Sequence, residues 1–194
     1  MEQTNNILEK IFNHKREEIA GRKKRIDFQT MRRRAEEQIP PNNFFTALQR
    51  ARPALIAEVK RASPSKGDFG VKMTALELAQ LYIANGAIAV SVLTDETFFR
   101  GGLEDLQSIA RLPQRHPILQ KDFLFDPYQV YEARAYGADA VLLISSYLDF
   151  GLMQELHDCA IELGMSVLVE AHTVAELEQT LRLRGLRIVG VNNR

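Results

Sequence analysis

Short apolar runs alternate with longer amphipathic stretches along the chain from residue 54 onward. The short runs are typical of strands, which we predict at residues 54–59, 89–93, 118–119, 140–144, 166–169 and 188–191. The stretches between them repeat apolar residues every three or four positions and predict helices near residues 74–85, 103–111, 127–136, 149–163 and 174–184. Strands and helices that alternate in this way predict a parallel sheet in which the helices are the crossovers.

The first 53 residues have a different pattern. Apolar residues at helical spacing predict an amphipathic helix, and these residues are Ile7, Leu8, Ile11, Phe12 and Ile19. The basic residues of this helix then fall on the opposite face, which we expect to be solvated. A break at residues 40–43 precedes a short helix over residues 44–52 that Asn43 caps. We therefore predict a helical extension, residues 1–53, that packs on a strand-and-helix domain, residues 54–194.

Two architectures fit the alternation of strands and helices: a doubly wound open sheet and a (βα)8 barrel of the TIM type. Strand after strand ends in polar side chains: Glu58 and Lys60, Thr94 and Asp95, Lys121 and Asp122, Ser145 and Ser146, Glu170, then Asn192 and Arg194. The carboxyl ends of all barrel strands converge on one mouth, whereas an open sheet concentrates its site at one switch point. We therefore predict an α/β (βα)8-barrel fold with extra N-terminal helices. Six strands lie in this chain, so we expect two βα units to be missing and two sheet edges to be open.

The composition is that of a globular protein, with 194 residues, 45% hydrophobic residues, and 25 basic and 25 acidic residues. The single cysteine cannot form an internal disulfide and no apolar run reaches membrane-spanning length, which favours a cytoplasmic location. Residues 1–34 carry ten basic and five acidic residues, a balance that also fits contact with nucleic acid or a membrane. No aromatic residues interleave with the basic clusters, so we expect neither nucleic acid nor membrane as a partner.

Two pairs of lysine and glutamate lie among the polar strand ends. Because side chains alternate along a strand, Glu58 and Lys60 share the face opposite to Val59 and point into the barrel. A buried charge needs a partner, so this pair is either a structural ion pair or a lysine oriented to hold an anionic or carbonyl group. Lys121 and Glu170, at the ends of two further strands, are a candidate general acid and general base.

Two loops have the composition of anion-binding turns. Residues 63–67 follow the first strand, and residues 99–102 precede a helix whose free N–H groups favour anions. Neither loop matches a nucleotide-binding motif. We expect surface or packing positions for all four histidines, which lack metal-ligand spacing: His14, His116, His157 and His172. Cys159 is expected to be a small buried apolar residue, and we predict no metal site and no cofactor.

Residues 57–67 read Ala-Glu-Val-Lys-Arg-Ala-Ser-Pro-Ser-Lys-Gly and closely resemble the first-strand signature of the indole-3-glycerol phosphate synthase family. Later segments match the family's motifs in the same order, at residues 91–96, 98–102, 119–123, 168–170 and 190–194. The resemblance extends over the whole chain. It implies a barrel enzyme of tryptophan biosynthesis that works without a cofactor or a metal.

The family closes the ring of 1-(2-carboxyphenylamino)-1-deoxyribulose 5-phosphate with loss of carbon dioxide and water. The resemblance implies that Lys121 is the general acid, and that Lys60, positioned by Glu58, holds the substrate carboxylate and assists acid catalysis. Glu170 is similar to the general base of the dehydration and Asn192 to a residue that orients the substrate. The other implied substrate contacts are Ser63, Arg194 toward the phosphate, and Phe99 and Phe123 along the aromatic ring.

Three other interpretations stay open on the sequence alone. Another phosphosugar barrel, such as phosphoribosylanthranilate isomerase, would not need Lys60, Lys121 and Glu170 together. A noncatalytic module would keep only an anion pocket or an RNA-binding arm, and a folding fragment would work only with a complementing C-terminal piece. The family's last two strands supply part of the phosphate site, so we expect this chain alone to be impaired. We expect the complete enzyme to be a monomer, whereas open sheet edges favour association.

Overall fold

The structure is a computed structural model that describes residues 2–192, with side chains from residue 7 onward. Three helices come first, and they are α1 (Glu2–Arg25), α2 (Phe28–Glu36) and α3 (Phe44–Leu48). The strands are β1 (Ile56–Val59), β2 (Ala62–Ser63), β3 (Gly67–Asp68), β4 (Ala89–Leu93), β5 (Ile118–Lys121), β6 (Ala140–Ile144), β7 (Ser166–Ala171) and β8 (Ile188–Val191). The remaining helices are α4 (Ala75–Ala84), α5 (Glu96–Phe99), α6 (Leu103–Ala110), α7 (Pro127–Ala135), α8 (Phe150–Glu162) and α9 (Val174–Thr180).

The six longer strands form one sheet in the order β1-β4-β5-β6-β7-β8. Every neighbouring pair in this sheet is parallel. The predicted six-stranded parallel sheet with helical crossovers is therefore confirmed. A feature that the sequence did not predict is the short antiparallel hairpin of β2 and β3, which follows the first strand.

Helices α3 and α9 are shorter than predicted, since they end at Leu48 and Thr180. The backbone then continues in a tighter turn. Arg50 N–H donates to the carbonyl oxygen of Ala47 at 3.1 Å, and Leu183 N–H donates to that of Thr180 at 3.0 Å. Such i to i−3 hydrogen bonds satisfy the last carbonyl groups of a helix while they end its α-helical geometry.

Alternate side chains of the parallel strands face two different layers. One face packs against the crossover helices, and its buried residues include Val59, Val92 and Val141. The other face contributes residues from all six strands to a second apolar cluster, namely Ile56, Ala89, Leu119, Ala140, Leu168 and Ile188. A single cluster collects residues from every strand because the sheet is curled around it, as in part of a barrel. The predicted barrel-type fold is confirmed over these six strands.

The N-terminal helices cover both ends of the curled sheet. Phe12 of α1 is buried and meets Phe123 edge-on, with 5.4 Å between ring centroids, just beyond the carboxyl end of β5. Phe44 of α3 enters the same cluster from the opposite end. The chain is held there because Asn42 N–H donates to Asp139 Oδ1 at 2.7 Å, directly ahead of β6.

Helix α2 connects these two ends by packing along α7. Met31 and Ala35 of α2 share a buried cluster with Tyr128 of α7. The Tyr128 hydroxyl donates to the carbonyl oxygen of Ile26 at 3.1 Å. The extension is therefore attached along the side of the sheet as well as at its ends.

The helices formed by the described residues are too short or too polar to cross a membrane. The division at residue 53 and the cytoplasmic location stay predictions.

Two basic residues of α1 correct the expectation of a solvated basic face. Lys15 is completely buried, and its ammonium group lies 2.9 Å from Asp95 and 3.2 Å from Asp122. Arg22 is nearly as buried, and its Nη1 lies 2.8 Å from Glu132 Oε2. The expectation was wrong for Lys15 because α1 crosses the carboxyl ends of β4 and β5, where Asp95 and Asp122 follow the strands. It was wrong for Arg22 because the same helix also passes Glu132 of α7.

Candidate active site

All five predicted catalytic residues lie at the carboxyl edge of the sheet. They continue the alternation of the apolar residues that fill the concave face, and they are Glu58, Lys60, Lys121, Glu170 and Asn192. The side chains of the four charged residues are between 15% and 32% exposed. These groups are therefore partly withdrawn from water and still accessible to a ligand.

Lys121 and Glu170 meet across an intervening strand. Lys121 Nζ lies 3.5 Å from Glu170 Oε2, although β6 separates β5 from β7. The backbones of such strands lie about 10 Å apart in a sheet, so curvature and long side chains together bring the two groups into contact. Asn192 Nδ2 donates to the other carboxylate oxygen, Oε1, at 2.9 Å. An amine and a carboxylate in this arrangement can donate and accept protons on one bound ligand.

His172 adjoins this pair, although the sequence suggested a surface or packing position. Its Nε2 lies 3.3 Å from Glu170 Oε1, and its Nδ1 lies 3.5 Å from Glu176 Oε2. The signal that identifies it in the sequence is its place two residues after Glu170, which puts both side chains on the same face of an extended chain. Sequence reasoning missed it because metal-ligand spacing was the criterion applied to the histidines.

Lys60 lies beside an aromatic pair. Its Nζ is 3.8 Å from Glu58 Oε1 and 5.5 Å from the centroid of the Phe99 ring. Phe99 in turn packs against Phe123, with 5.9 Å between ring centroids and 34° between the ring planes. A cation next to two aromatic rings is suited to a ligand that combines an aromatic ring with an anionic group.

The two predicted anion loops lie at the same edge. Ser63 is buried in β2, where its Oγ accepts a hydrogen bond from Lys66 N–H at 3.2 Å and so stabilises the hairpin turn. The hairpin packs beside α5, the helix that ends at Phe99. Gly101 follows, and a Cβ atom there would lie 1.9 Å from the carbonyl oxygen of Leu93. Glycine is required at this position because the chain passes so close to the end of β4.

Two other strand-end carboxylates do not belong to the open site. Asp95 and Asp122 hold the buried ammonium group of Lys15, and Asp95 Oδ1 also accepts from Phe98 N–H at 2.7 Å. Burial alone would lower the pKa of Lys15, but the charges of Asp122, Asp95 and Glu18 outweigh it and raise that pKa. Asp95 and Asp122 therefore attach α1 to the sheet and are buried away from the open site.

A family model and named sequence relatives agree on one family. A family model described as indole-3-glycerol phosphate synthase matches residues 8–194. This chain belongs to the indole-3-glycerol phosphate synthase family. Proteins of that name are 48% identical over 194 residues in Roseiflexus castenholzii and 46% identical over 196 residues in an Acidovorax species. The first alignment covers 97% of this chain and 72% of the relative, and the second covers 97% and 73%.

A solved structure supports the fold of this family member. The crystal structure of 3-hexulose-6-phosphate synthase matches 72% of this chain and 65% of its own chain, with a TM-score of 0.55. The sequence identity is 16%, so the likeness concerns the fold alone.

Two further expectations for this synthase-family chain have different outcomes. Arg194 lies outside the described residues. Cys159 is buried as predicted, and burial raises the pKa of its thiol to about 11. Residues 2–192 hold no group of three or more His, Cys, Asp or Glu side chains arranged around a possible metal position.

Proposed function

We propose that this chain carries out the reaction of its family, the conversion of 1-(2-carboxyphenylamino)-1-deoxyribulose 5-phosphate to indole-3-glycerol phosphate, carbon dioxide and water. The observation that carries the proposal is the contact of Lys121 with Glu170, 3.5 Å between Nζ and Oε2, on the same concave face as Lys60. An isomerase of phosphosugars would not need two lysines and a glutamate together. The trio therefore favours the synthase over the rival barrel enzyme.

Lys121 acts as the general acid in the first step, ring closure. Its ammonium group donates a proton to the substrate carbonyl oxygen while the carboxylated ring carbon attacks the carbonyl carbon. A carbon–carbon bond forms, the carbonyl becomes a hydroxyl, and a positive charge develops on the nitrogen that is conjugated with the carboxylated carbon. Lys60 binds the substrate carboxylate, and Glu58, 3.8 Å from Lys60 Nζ, keeps that ammonium group in place.

Decarboxylation needs no external electron acceptor. The bond between the ring and the carboxylate breaks, and its electron pair moves toward the positively charged nitrogen and restores the aromatic ring. The carboxylate loses its charge in this step, so its contact with Lys60 stabilises the bound substrate more than the transition state. For this reason we assign the assistance of Lys60 to binding and ring closure.

In the dehydration step, Lys121 and Glu170 both act. Lys121 donates a proton to the leaving hydroxyl, and Glu170 accepts the proton that leaves the new five-membered ring as its double bond forms. Over one turnover the lysine donates two protons and the glutamate accepts one, so the site takes up one proton from solvent. The side chain of Lys121 is 25% exposed, which permits this exchange.

The other contacts follow from the shape of the substrate. Phe99 and Phe123 line the position of the aromatic ring beside Lys60. Asn192, hydrogen-bonded to Glu170, orients the substrate next to the base. Ser63 binds the substrate from the hairpin after β1, and Arg194 binds the phosphate.

The test is turnover of the substrate by the purified chain without added cofactor, followed through the fluorescence of the indole product. We expect the parent chain to turn over more slowly than a full-length family member, and we expect Lys121→Ala to abolish this turnover, with circular dichroism to verify that both proteins are folded. A folded parent chain without turnover would contradict the proposal, as would turnover that survives the substitution.

A further inference from the structure

Lys121, Asn192 and His172 contact the carboxylate of Glu170, and Glu176 in turn contacts His172. Lys121 of β5 approaches Oε2 at 3.5 Å, and Asn192 after β8 donates to Oε1 at 2.9 Å. His172, directly after β7, places Nε2 at 3.3 Å from the same Oε1. Glu176 of α9 faces the other nitrogen of that imidazole ring. The histidine therefore lies between two carboxylates, and each of its ring nitrogens faces one of them.

Glu176 is held firmly by its surroundings. Its Oε2 accepts a hydrogen bond from the backbone N–H of His172 at 2.8 Å and one from Ser145 Oγ at 3.3 Å. Burial alone would raise the pKa of Glu176, but these hydrogen bonds, one with the side chain of Thr173, and the His172 ring together lower it. Glu176 is therefore ionised at neutral pH and holds a negative charge in a fixed position 3.5 Å from Nδ1 of His172.

A second contact connects Glu176 to the same strand end. The single hydroxyl proton of Ser145 is shared between two acceptors, the backbone carbonyl oxygen of Glu170 at 2.8 Å and Glu176 Oε2 at 3.3 Å. The backbone and the side chain of Glu170 are thus both connected to Glu176, the first through Ser145 and the second through His172. Such a network fixes the direction in which the carboxylate points.

We propose that His172, held by Glu176, is a positioning residue that fixes the Glu170 carboxylate for catalysis. This inference rests on the proposed function, in which Glu170 is the base of the dehydration. A glutamate side chain has several rotatable bonds, and a base displaced by 1 Å loses on the order of 100-fold in rate. His172 and Asn192 together hold Oε1, so Oε2 stays directed toward Lys121 and the substrate.

The kinetic arm of the test compares His172→Ala, His172→Gln and Glu176→Gln with the parent chain. We expect kcat of His172→Ala to fall on the order of 100-fold, with KM changed much less, because a positioning residue acts through Glu170 and not through its own contact with the substrate. His172→Gln should recover part of this loss, because its amide N–H2 can still donate to Oε1. The matched control is His116→Gln, since His116 contacts the Ala87 carbonyl ahead of the sheet and should leave kcat unchanged.

The second arm needs no turnover and reads the position of the carboxylate directly. The side-chain amide resonance of Asn192, assigned by its loss in Asn192→Asp, reports the hydrogen bond to Glu170 Oε1. We expect this resonance to shift in His172→Ala and in Glu176→Gln and to stay in place in His116→Gln. An amide resonance that stays in place in both site variants overturns the inference, even if kcat falls. A parent chain without turnover would contradict the proposed function, whereas the amide resonance would still decide the positioning role.

Discussion

Two groups of lysine and carboxylate lie at the same edge of the sheet, and they differ in burial and in distance. In the first group, the side chain of Lys15 is 0% exposed, and its ammonium group lies 2.9 Å from Asp95 and 3.2 Å from Asp122. In the second group, the side chain of Lys121 is 25% exposed, and its Nζ lies 3.5 Å from Glu170 Oε2. The first group attaches α1 to the sheet, and the second is open to a ligand.

This difference indicates which charges hold the fold and which are available for chemistry. A charge withdrawn from water needs complete compensation, and removing one partner leaves the others buried and unpaired. A partly exposed pair contributes little to the free energy of unfolding because water competes for both groups. The pKa of Lys15, raised by its carboxylates against the effect of burial, also makes it a poor acid at neutral pH.

The largest expected effect is the loss of activity in Lys121→Met. We expect kcat to fall by about 10²–10⁴-fold because the general acid is lost. The free energy of unfolding should change by less than about 1 kcal/mol, because the pair is partly exposed. The indole fluorescence assay and urea unfolding measure these two quantities. Lys24→Met, an exposed lysine on α1, is the matched control and should change neither. A large loss of stability in Lys121→Met would remove the distinction between the two groups.

Lys15→Met should lower the stability of the folded protein. We expect the free energy of unfolding to fall by about 3–5 kcal/mol, because Asp95 and Asp122 would stay buried without their cation. Urea unfolding against the same Lys24→Met control measures the loss. Adding Asp122→Asn should restore part of it, since one uncompensated charge is then removed. A cost below about 1 kcal/mol would show that the buried group contributes no more than a surface pair.

The contribution of Lys15 should also depend on pH in a defined direction. Its folded-state pKa is raised, so its stabilisation is complete below the unfolded-state pKa of about 10.4 and is lost as the pH rises through the folded-state value. The difference in unfolding free energy between the parent chain and Lys15→Met should therefore be constant from about pH 6 to 9. Above about pH 10.5 it should shrink by up to about 1.4 kcal/mol per pH unit.

Urea unfolding of both proteins at several alkaline pH values checks this dependence. Tyr128, whose pKa burial raises to about 12, titrates in both proteins and cancels in the difference. A difference that grows with alkaline pH would contradict the assignment of Lys15 as a compensated ammonium group.

The smallest expected change in stability is that of Glu58→Gln. Lys60 and Glu58 are both 32% exposed and 3.8 Å apart, so losing the carboxylate should change the free energy of unfolding by less than about 1 kcal/mol. The value of kcat/KM should fall, because Lys60 is no longer oriented toward the substrate carboxylate. Thermal unfolding and steady-state kinetics measure the two effects. An unchanged kcat/KM would mean that Glu58 does not orient Lys60.

The buried strands were predictable from local pattern alone. The bounds of β4, β6 and β8 agree with the prediction, because short apolar runs of this kind are bounded by turn residues at both ends. The β2–β3 hairpin was not predicted because each of its strands is only two residues long and the segment has no apolar run. A turn that includes Ser63 and Lys66 stabilises it. The ends of α3 and α9 escaped it because local i to i−3 hydrogen bonds, which leave no hydrophobic signature, end these helices.

The sequence by itself determined which side chains share a face. Alternation along an extended strand is a property of the backbone, so Glu58 and Lys60 necessarily lie on the face opposite to Val59. The helical spacing of apolar residues in the N-terminal segment was determined in the same way, by the geometry of one helix.

Only the tertiary structure decided what these faces meet. The curvature of the sheet brings Lys121 to Glu170 across β6, and the path of α1 over the strand ends buries Lys15 between Asp95 and Asp122. His172 differs from both lysines, because its carboxylate neighbours Glu170 and Glu176 lie two and four residues away along the chain. The physical reason is that periodicity follows from local backbone geometry, whereas the compensation of a charge depends on contacts between segments far apart along the chain.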